Sequence, residues 1–167
     1  MVIIMTNHVT QGTSPAVVLD STDKQILRAL DRDPRATIAF LAQSLRLARG
    51  TVQARLRKLY GPQGMLAPET VKIPPSAVGR PLRAIITVQV EQSHFNELVE
   101  DASQIEEVVE CLGVSGNHDL HIEVVAAGAE DIYRVTQRLM LCRGVTRTST
   151  MLVLREVIPR RMSQLLD

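Results

Sequence analysis

Apolar positions recur with a helical period from about residue 20 to about residue 60, and from about residue 84 stretches with a period of two alternate with helical ones. Ile26, Leu27 and Leu30 form a stripe set against Lys24, Arg28 and Asp31. A first helix is therefore expected to open at Asp20 as N-cap, carry Asp23 in its first turn and close at Pro34. Thr37 is placed to cap a second helix, in which Ile38, Leu41, Ala42 and Leu45 stand at i, i+3, i+4 and i+7. After a break at Arg46–Leu47–Ala48, a third helix is expected from about Arg49 to Tyr60, with Val52, Leu56 and Leu59 inward and Gly61–Pro62 ending it. Three short amphipathic helices with a tight turn between the second and third describe a helix-turn-helix unit.

Gly64–Met65–Leu66 and Glu69–Ile73 read as a turn and a small strand, as in a wing. Pro74–Pro75, Gly79 and Pro81 mark a stiff linker. Beyond it, Ala84–Val90 alternates as a strand, and His94–Ala102 reads as a helix through Phe95, Leu98, Val99 and Ala102. Glu107–Val114 and Leu120–Ala126 read as two more strands, Ala129–Leu141 as a helix, and Val145–Val157 as a long last strand. The order β-α-β-β-α-β is the split βαβ of ferredoxin-like folds. The chain thus reads as α+β, a winged helix-turn-helix followed by a ferredoxin-like domain. The expected boundaries are a mobile tail over 1–18, the first domain over 19–73, a linker over 74–81, the second domain over 82–157 and a tail over 158–167. Two helices cover one sheet face, and a second copy of the chain is the simplest cover for the other.

Charge sharpens this division. Between Pro34 and Pro68 there is no acidic residue and six basic ones, Arg35, Arg46, Arg49, Arg55, Arg57 and Lys58. Between Ala84 and Tyr133 there are eleven Asp and Glu and no Lys or Arg. A net charge of +1 conceals two opposite modules, and the basic one has the footprint of a phosphate-binding surface. On a helical wheel centred on Val52, Gly50, Ala54, Arg57 and Lys58 fall opposite the buried side, with Thr51 and Gln53 on the shoulders. Small residues between long polar ones suit a helix pressed against a groove floor. Gln53 matches adenine, and Arg57 matches guanine or a phosphate. Arg49 adds charge where helix-start N–H groups already attract phosphate. Arg55, about 60° from the buried centre by the 100° step of a helix, is expected to pack its stem and reach a phosphate or an acidic partner in its own domain.

Other chemistries find little support. With two Phe, two Tyr and no Trp, the chain lacks the ring platforms of a single-strand binder. Cys111 and Cys142 are isolated, and strand alternation directs His118 and His121 to opposite faces, so neither a disulfide framework nor a metal site is expected. There is no nucleophile-with-base arrangement and no phosphate-cradling loop, so no enzyme activity and no cofactor are expected. Val2–Met5 is too short for a signal-peptide core, nothing approaches a membrane span, and cytoplasm is the expected location.

Leu19–Asp20–x–x–Asp23–x–x–Ile26–Leu27, Asp33–x–Arg35, Leu41–Ala42, Leu47, Arg55–x–x–x–Leu59 and Gly64–x–Leu66 resemble the Lrp/AsnC (feast/famine) transcriptional regulators. Val114–Ser115–Gly116–x–x–Asp119, Arg143–Gly144–Val145, Thr148–x–Thr150 and Val153–Leu154 extend the resemblance over about residues 19–157. It implies an N-terminal winged helix-turn-helix for double-stranded DNA, and with the charge and the helical wheel the expected contacts are Arg46, Arg49, Gly50, Thr51, Gln53, Ala54, Arg55, Arg57 and Lys58. It also implies a second domain for dimerisation and amino-acid sensing, with dimers often built into rings, commonly octamers. The effector, an amino acid, is expected near Ser115, Gly116, Asn117, His118, Asp119, Thr148 and Thr150. The chain departs from the family where Arg46 and Ala48 replace a usual Gly and capping Ser, in a longer Tyr60–Gln63 segment, and at Asn117, His118 and His121. These departures keep open an alternative: a metabolite-binding oligomer with weak or non-specific DNA binding.

Overall fold

The computed structural model describes residues 18–61 and 64–166. The expected N-terminal tail, apart from Val18, and the Pro62–Gln63 part of the lengthened segment lie outside the described residues. Contacts divide the described residues into two units, those up to Pro68 with those from Arg160 onward, and Glu69–Pro159. The division by contacts falls between Pro68 and Glu69, and the segment after Pro159 groups with the first unit.

In the first unit, α1 (Ser21–Arg32), α2 (Ile38–Leu45) and α3 (Arg49–Tyr60) follow the apolar stripes. Asp20 and Asp23 form a reciprocal capping box, each carboxylate accepting the other's backbone N–H, at 2.9 Å for the Asp23 amide. Thr37 caps α2 by accepting the Phe40 N–H. Leu41, Val52, Ala29 and Ala42 form the centre of the unit, with Leu30, Leu45, Leu47 and Leu56 packed around them. Ile38, expected inward, is 37% exposed in the first turn of α2.

No strand forms between α3 and the sheet among the described residues, so the expected wing strand is absent. Glu69–Lys72 and Pro75–Val78 are 3-10 turns instead. A strand there would need a ladder partner. Val71 and Ile73 find none and stay exposed, and Pro74 and Pro75 cannot donate to one.

The second unit follows the expected order: β1 (Leu82–Val90), α4 (Phe95–Ser103), β2 (Val108–Gly113), β3 (Leu120–Ala126), α5 (Ala129–Leu141) and β4 (Val145–Leu152). All neighbours in the sheet β2-β3-β1-β4 are antiparallel. Ala84, Ile86, Val88 and Val90 of β1 join Leu120, Ile122 and Val124 of β3 on the face covered by Leu98, Ile132, Val135 and Leu139. The opposite face carries Ile85 and Thr87 of β1, Leu112 of β2 and Met151 of β4, and the last two are about half exposed. The last strand stops at Leu152 rather than Val157: the Val153 N–H still bonds the Arg83 carbonyl at 2.9 Å, but in this register residues 155–157 would face positions before Leu82, where β1 has not begun. Among the described residues no helix is long and apolar enough to cross a membrane.

Candidate nucleic-acid interface and effector turn

The basic helix begins at an unusual turn. The Leu47 N–H bonds the Ala42 carbonyl at 2.9 Å and the Arg46 N–H bonds the Gln43 carbonyl at 3.3 Å, the paired closure of a Schellman motif. That motif needs a left-handed residue, and Arg46 fills it with φ 56° and ψ 43°, the one non-glycine with positive φ among the described residues. Ala48 then occupies the N-cap of α3 and supplies no side-chain bond to it. The first amides of α3 therefore stay open to an outside acceptor at the end of the helix that favours anions.

From that start, α3 buries Val52 and Leu59 completely and turns Gly50, Thr51, Gln53, Ala54 and Arg57 to solvent. A side chain built at Gly50 would meet nothing within 4 Å, so this face can be approached closely. Arg46, Arg49 and Arg57 are exposed, and no carboxylate of the described residues pairs with them.

Arg55 and Lys58 are placed differently from the other seven expected contact residues. Arg55 bonds Asp20 and reaches Asp23 at 3.3 Å, and Lys58 Nζ donates to Asp23 Oδ2 at 2.7 Å. Arg55 thus meets the acidic partner in its own domain rather than standing open. Asp23 is completely buried, although the residue pattern marks it only as a first-turn acid. Its place three residues after an Asp N-cap is the available signal, but nothing local names its partners 32 and 35 residues away. The Asp20 carboxyl sits below the ordinary carboxylate range because it accepts the Asp23 backbone N–H, with Arg55 adding to the effect against some burial.

In the second unit, the turn between β2 and β3 is closed by the Val114 N–H on the Asp119 carbonyl at 2.9 Å. Gly116 adopts φ 119°, a conformation open to glycine. Asp119 is anchored twice to β1, its N–H donating to the Val88 carbonyl and its Oδ2 accepting the Val90 N–H, both at 2.9 Å. The second bond falls where the β1–β4 register shifts between Gln89 and Val90. Gln89 donates its side-chain amide to the Asn117 carbonyl, while Ser115 and Asn117 are exposed. His118 Nδ1 is buried with no hydrogen-bond partner among the described residues.

Thr148 pairs across β1 with Val88, the residue that also receives the Asp119 N–H. Two strand spacings, roughly 10 Å, thus separate Thr148 from Asp119. Thr150 lies further along β4 opposite Ile86, with its hydroxyl 3.0 Å from that of Thr136 on α5. The turn residues are brought together at one end of the sheet, and Thr150 is not among them.

The acid-only stretch is balanced by arginines at its two ends. Glu107, 7% exposed, meets Arg134 at 2.7 Å and Arg80 at 3.5 Å. Arg80 also meets Glu106 at 2.7 Å, and Arg83 meets Glu123 at 2.8 Å. Burial raises the Glu107 carboxyl, but its own backbone N–H and the Arg134 guanidinium outweigh that and hold it below the ordinary range.

Residues 19–60 match the AsnC-type helix-turn-helix domain, and residues 83–163 match the Lrp/AsnC ligand binding domain. The chain is 30% identical over 136 residues to the HTH-type transcriptional regulator LrpA of Mycobacterium tuberculosis, covering 81% of this chain and 90% of that one. It is 29% identical over 139 residues to an HTH-type transcriptional regulator of Pyrococcus horikoshii, covering 83% and 91%. A feast or famine regulatory protein of M. tuberculosis, solved with L-methionine, superposes with a TM-score of 0.71 at 30% identity, over 87% of this chain and 98% of that one. With both domain types matched in order on the fold that carries them, the chain belongs to the Lrp/AsnC family of helix-turn-helix transcriptional regulators.

Proposed function

We propose that this regulator contacts double-stranded DNA through the solvent face of α3 and its preceding turn, using Arg46, Arg49, Gly50, Thr51, Gln53, Ala54 and Arg57. The observation that carries this reading is a recognition-helix face of small and polar residues with three exposed arginines and no acid near them in sequence. Gln53 and Arg57 read base edges, while Arg46, Arg49 and the open amides of the α3 start bind phosphates. A homodimer, itself assembled into a larger ring, sets the spacing of half-sites, and Ile85, Leu112 and Met151 give the uncovered sheet face the apolar groups that a second copy would bury. The test is a salt-resolved gel shift on the protein's own upstream region. Replacing Arg49 and Arg57 with Ala weakens binding and flattens its log–log salt dependence by about 0.9 for each phosphate no longer neutralised. Unchanged affinity and slope in that double variant remove both residues from the interface.

We further propose that an amino acid bound at Ser115–Asp119 shifts DNA affinity by favouring one assembly over another. The buried, unpartnered His118 Nδ1 and the one Asp119 oxygen not bonded to Val90 are the polar groups left to receive it. The methionine complex of the M. tuberculosis relative supports the ligand class. A second reading, weak and sequence-indifferent DNA binding, draws on the strained Arg46 and the uncapped Ala48. Equal affinity for the upstream region and for a scrambled duplex of the same length would favour it.

A further inference from the structure

Arg55 and Lys58 lie three residues apart on one flank of α3, and both engage the carboxylates of the α1 start. Asp23 is completely buried, whereas the side chains of Arg55 and Lys58 are 31% and 36% exposed. For Lys58 to reach a phosphate it must leave a carboxylate that has no access to water. Leaving that buried charge to Arg55 alone, at 3.3 Å, is more costly than a screened phosphate contact is favourable. The neighbouring Arg57 has no such carboxylate among the described residues and faces outward. Two adjacent cations of the same helix are thereby given opposite assignments.

We propose that Asp23, assisted by Asp20, is a positioning residue that holds Lys58 and Arg55 off the DNA backbone, fixing the rotation of α3 and limiting the cations available for sequence-indifferent binding. This deepens the DNA-binding reading of α3 and rests on it. DNA contact by Arg46, Arg49 and Arg57 is set by their own exposure, while Lys58 is a cation in reserve. A regulator must prefer its operator over abundant competing sites, and each additional phosphate contact strengthens both kinds of binding alike. Sequestering two cations therefore keeps binding at those competing sites weak.

Fluorescence anisotropy across a salt series tests the idea, with the full chain on its upstream region and on a scrambled duplex of equal length. Lys58→Met is expected to leave the salt slope at the wild-type value on both duplexes. Asp23→Asn is expected to steepen the slope by about 0.9 for each lysine released and to tighten binding to the upstream region and the scrambled duplex alike. Asp23→Glu is expected to retain the wild-type slope, and Lys58→Met added to Asp23→Asn to restore it. If Asp23 served only to brace α3 against α1, its replacement would lower the melting temperature without steepening the slope. A slope flattened by about 0.9 in Lys58→Met overturns the proposal even where Asp23→Asn does not fold, because Lys58 would then already be on phosphate. A folded Asp23→Asn with the wild-type slope overturns it too. A wild-type chain with no salt-dependent binding to either duplex removes the DNA reading itself, and this division of cations with it.

Discussion

The turn between α2 and α3 is the place where two substitutions should stabilise the helix-turn-helix and one of them should impair DNA binding. Arg46 is held at φ 56°, where an L-residue with a Cβ costs about 1–2 kcal/mol. Glycine removes that cost but loses about 0.5–1 kcal/mol through its freer unfolded chain, leaving Arg46→Gly a net gain of about 0.5–1 kcal/mol. Ala48 is an N-cap without a side-chain bond, and Ala48→Ser supplies one to an open amide for about 1 kcal/mol. Taken together, about 1.5–2 kcal/mol should slow hydrogen exchange at the Leu56 and Leu59 amides of α3 by about 10- to 30-fold, since each 1.4 kcal/mol is tenfold. The same samples titrated with DNA should separate the two roles. Arg46→Gly removes a cation and should flatten the salt slope by about 0.9, whereas Ala48→Ser should leave it unchanged. Unchanged or faster exchange in Arg46→Gly would show that the left-handed arginine carries no strain. An unchanged slope would show that it touches no phosphate.

Asp119→Asn retains an oxygen for the Val90 N–H and removes the charge, so its melting temperature should stay near wild type while an amino-acid-induced thermal shift is lost; a full shift in that variant places the ligand elsewhere. Glu107→Gln should cost about 1 kcal/mol near neutral pH, a modest figure because Arg134 is half exposed. The folded Glu107 carboxyl lies below its usual 4.5, so its stabilisation is complete above that pH and is lost as pH falls through the lower folded value. The gap between wild type and Glu107→Gln in urea unfolding should therefore narrow as pH falls below 4.5. A gap constant over that range contradicts the assignment.

Much of the fold was legible because its signals are local. A stripe of apolar residues at helical spacing, bounded by Thr37 or by a capping-box Asp20, needs no distant partner to be read. The helices Arg49–Tyr60 and Ala129–Leu141 and the strand Leu120–Ala126 accordingly fall where the pattern put them. The wing failed for the complementary reason. Glu69–Ile73 has strand composition, but a strand exists only where another chain segment offers its amides, and none does.

The functional surface divides along the same line. By itself the sequence determined that α3 is basic, that its solvent face mixes small and polar residues, and that the acidic block belongs to another unit. Its resemblance to the family marked Arg46 and Ala48 as standing where a glycine and a capping serine are usual. Only the tertiary structure decided that Arg57 is open while Lys58, its neighbour of like charge, is held by Asp23. Only the tertiary structure decided that Arg80, Arg83 and Arg134 turn back onto the acids between them. It likewise parted Thr150 from the Asp119 turn. Helical and strand periods are properties of consecutive residues, but an ion pair depends on which carboxylate the packed core brings alongside, and that is fixed by positions tens of residues away.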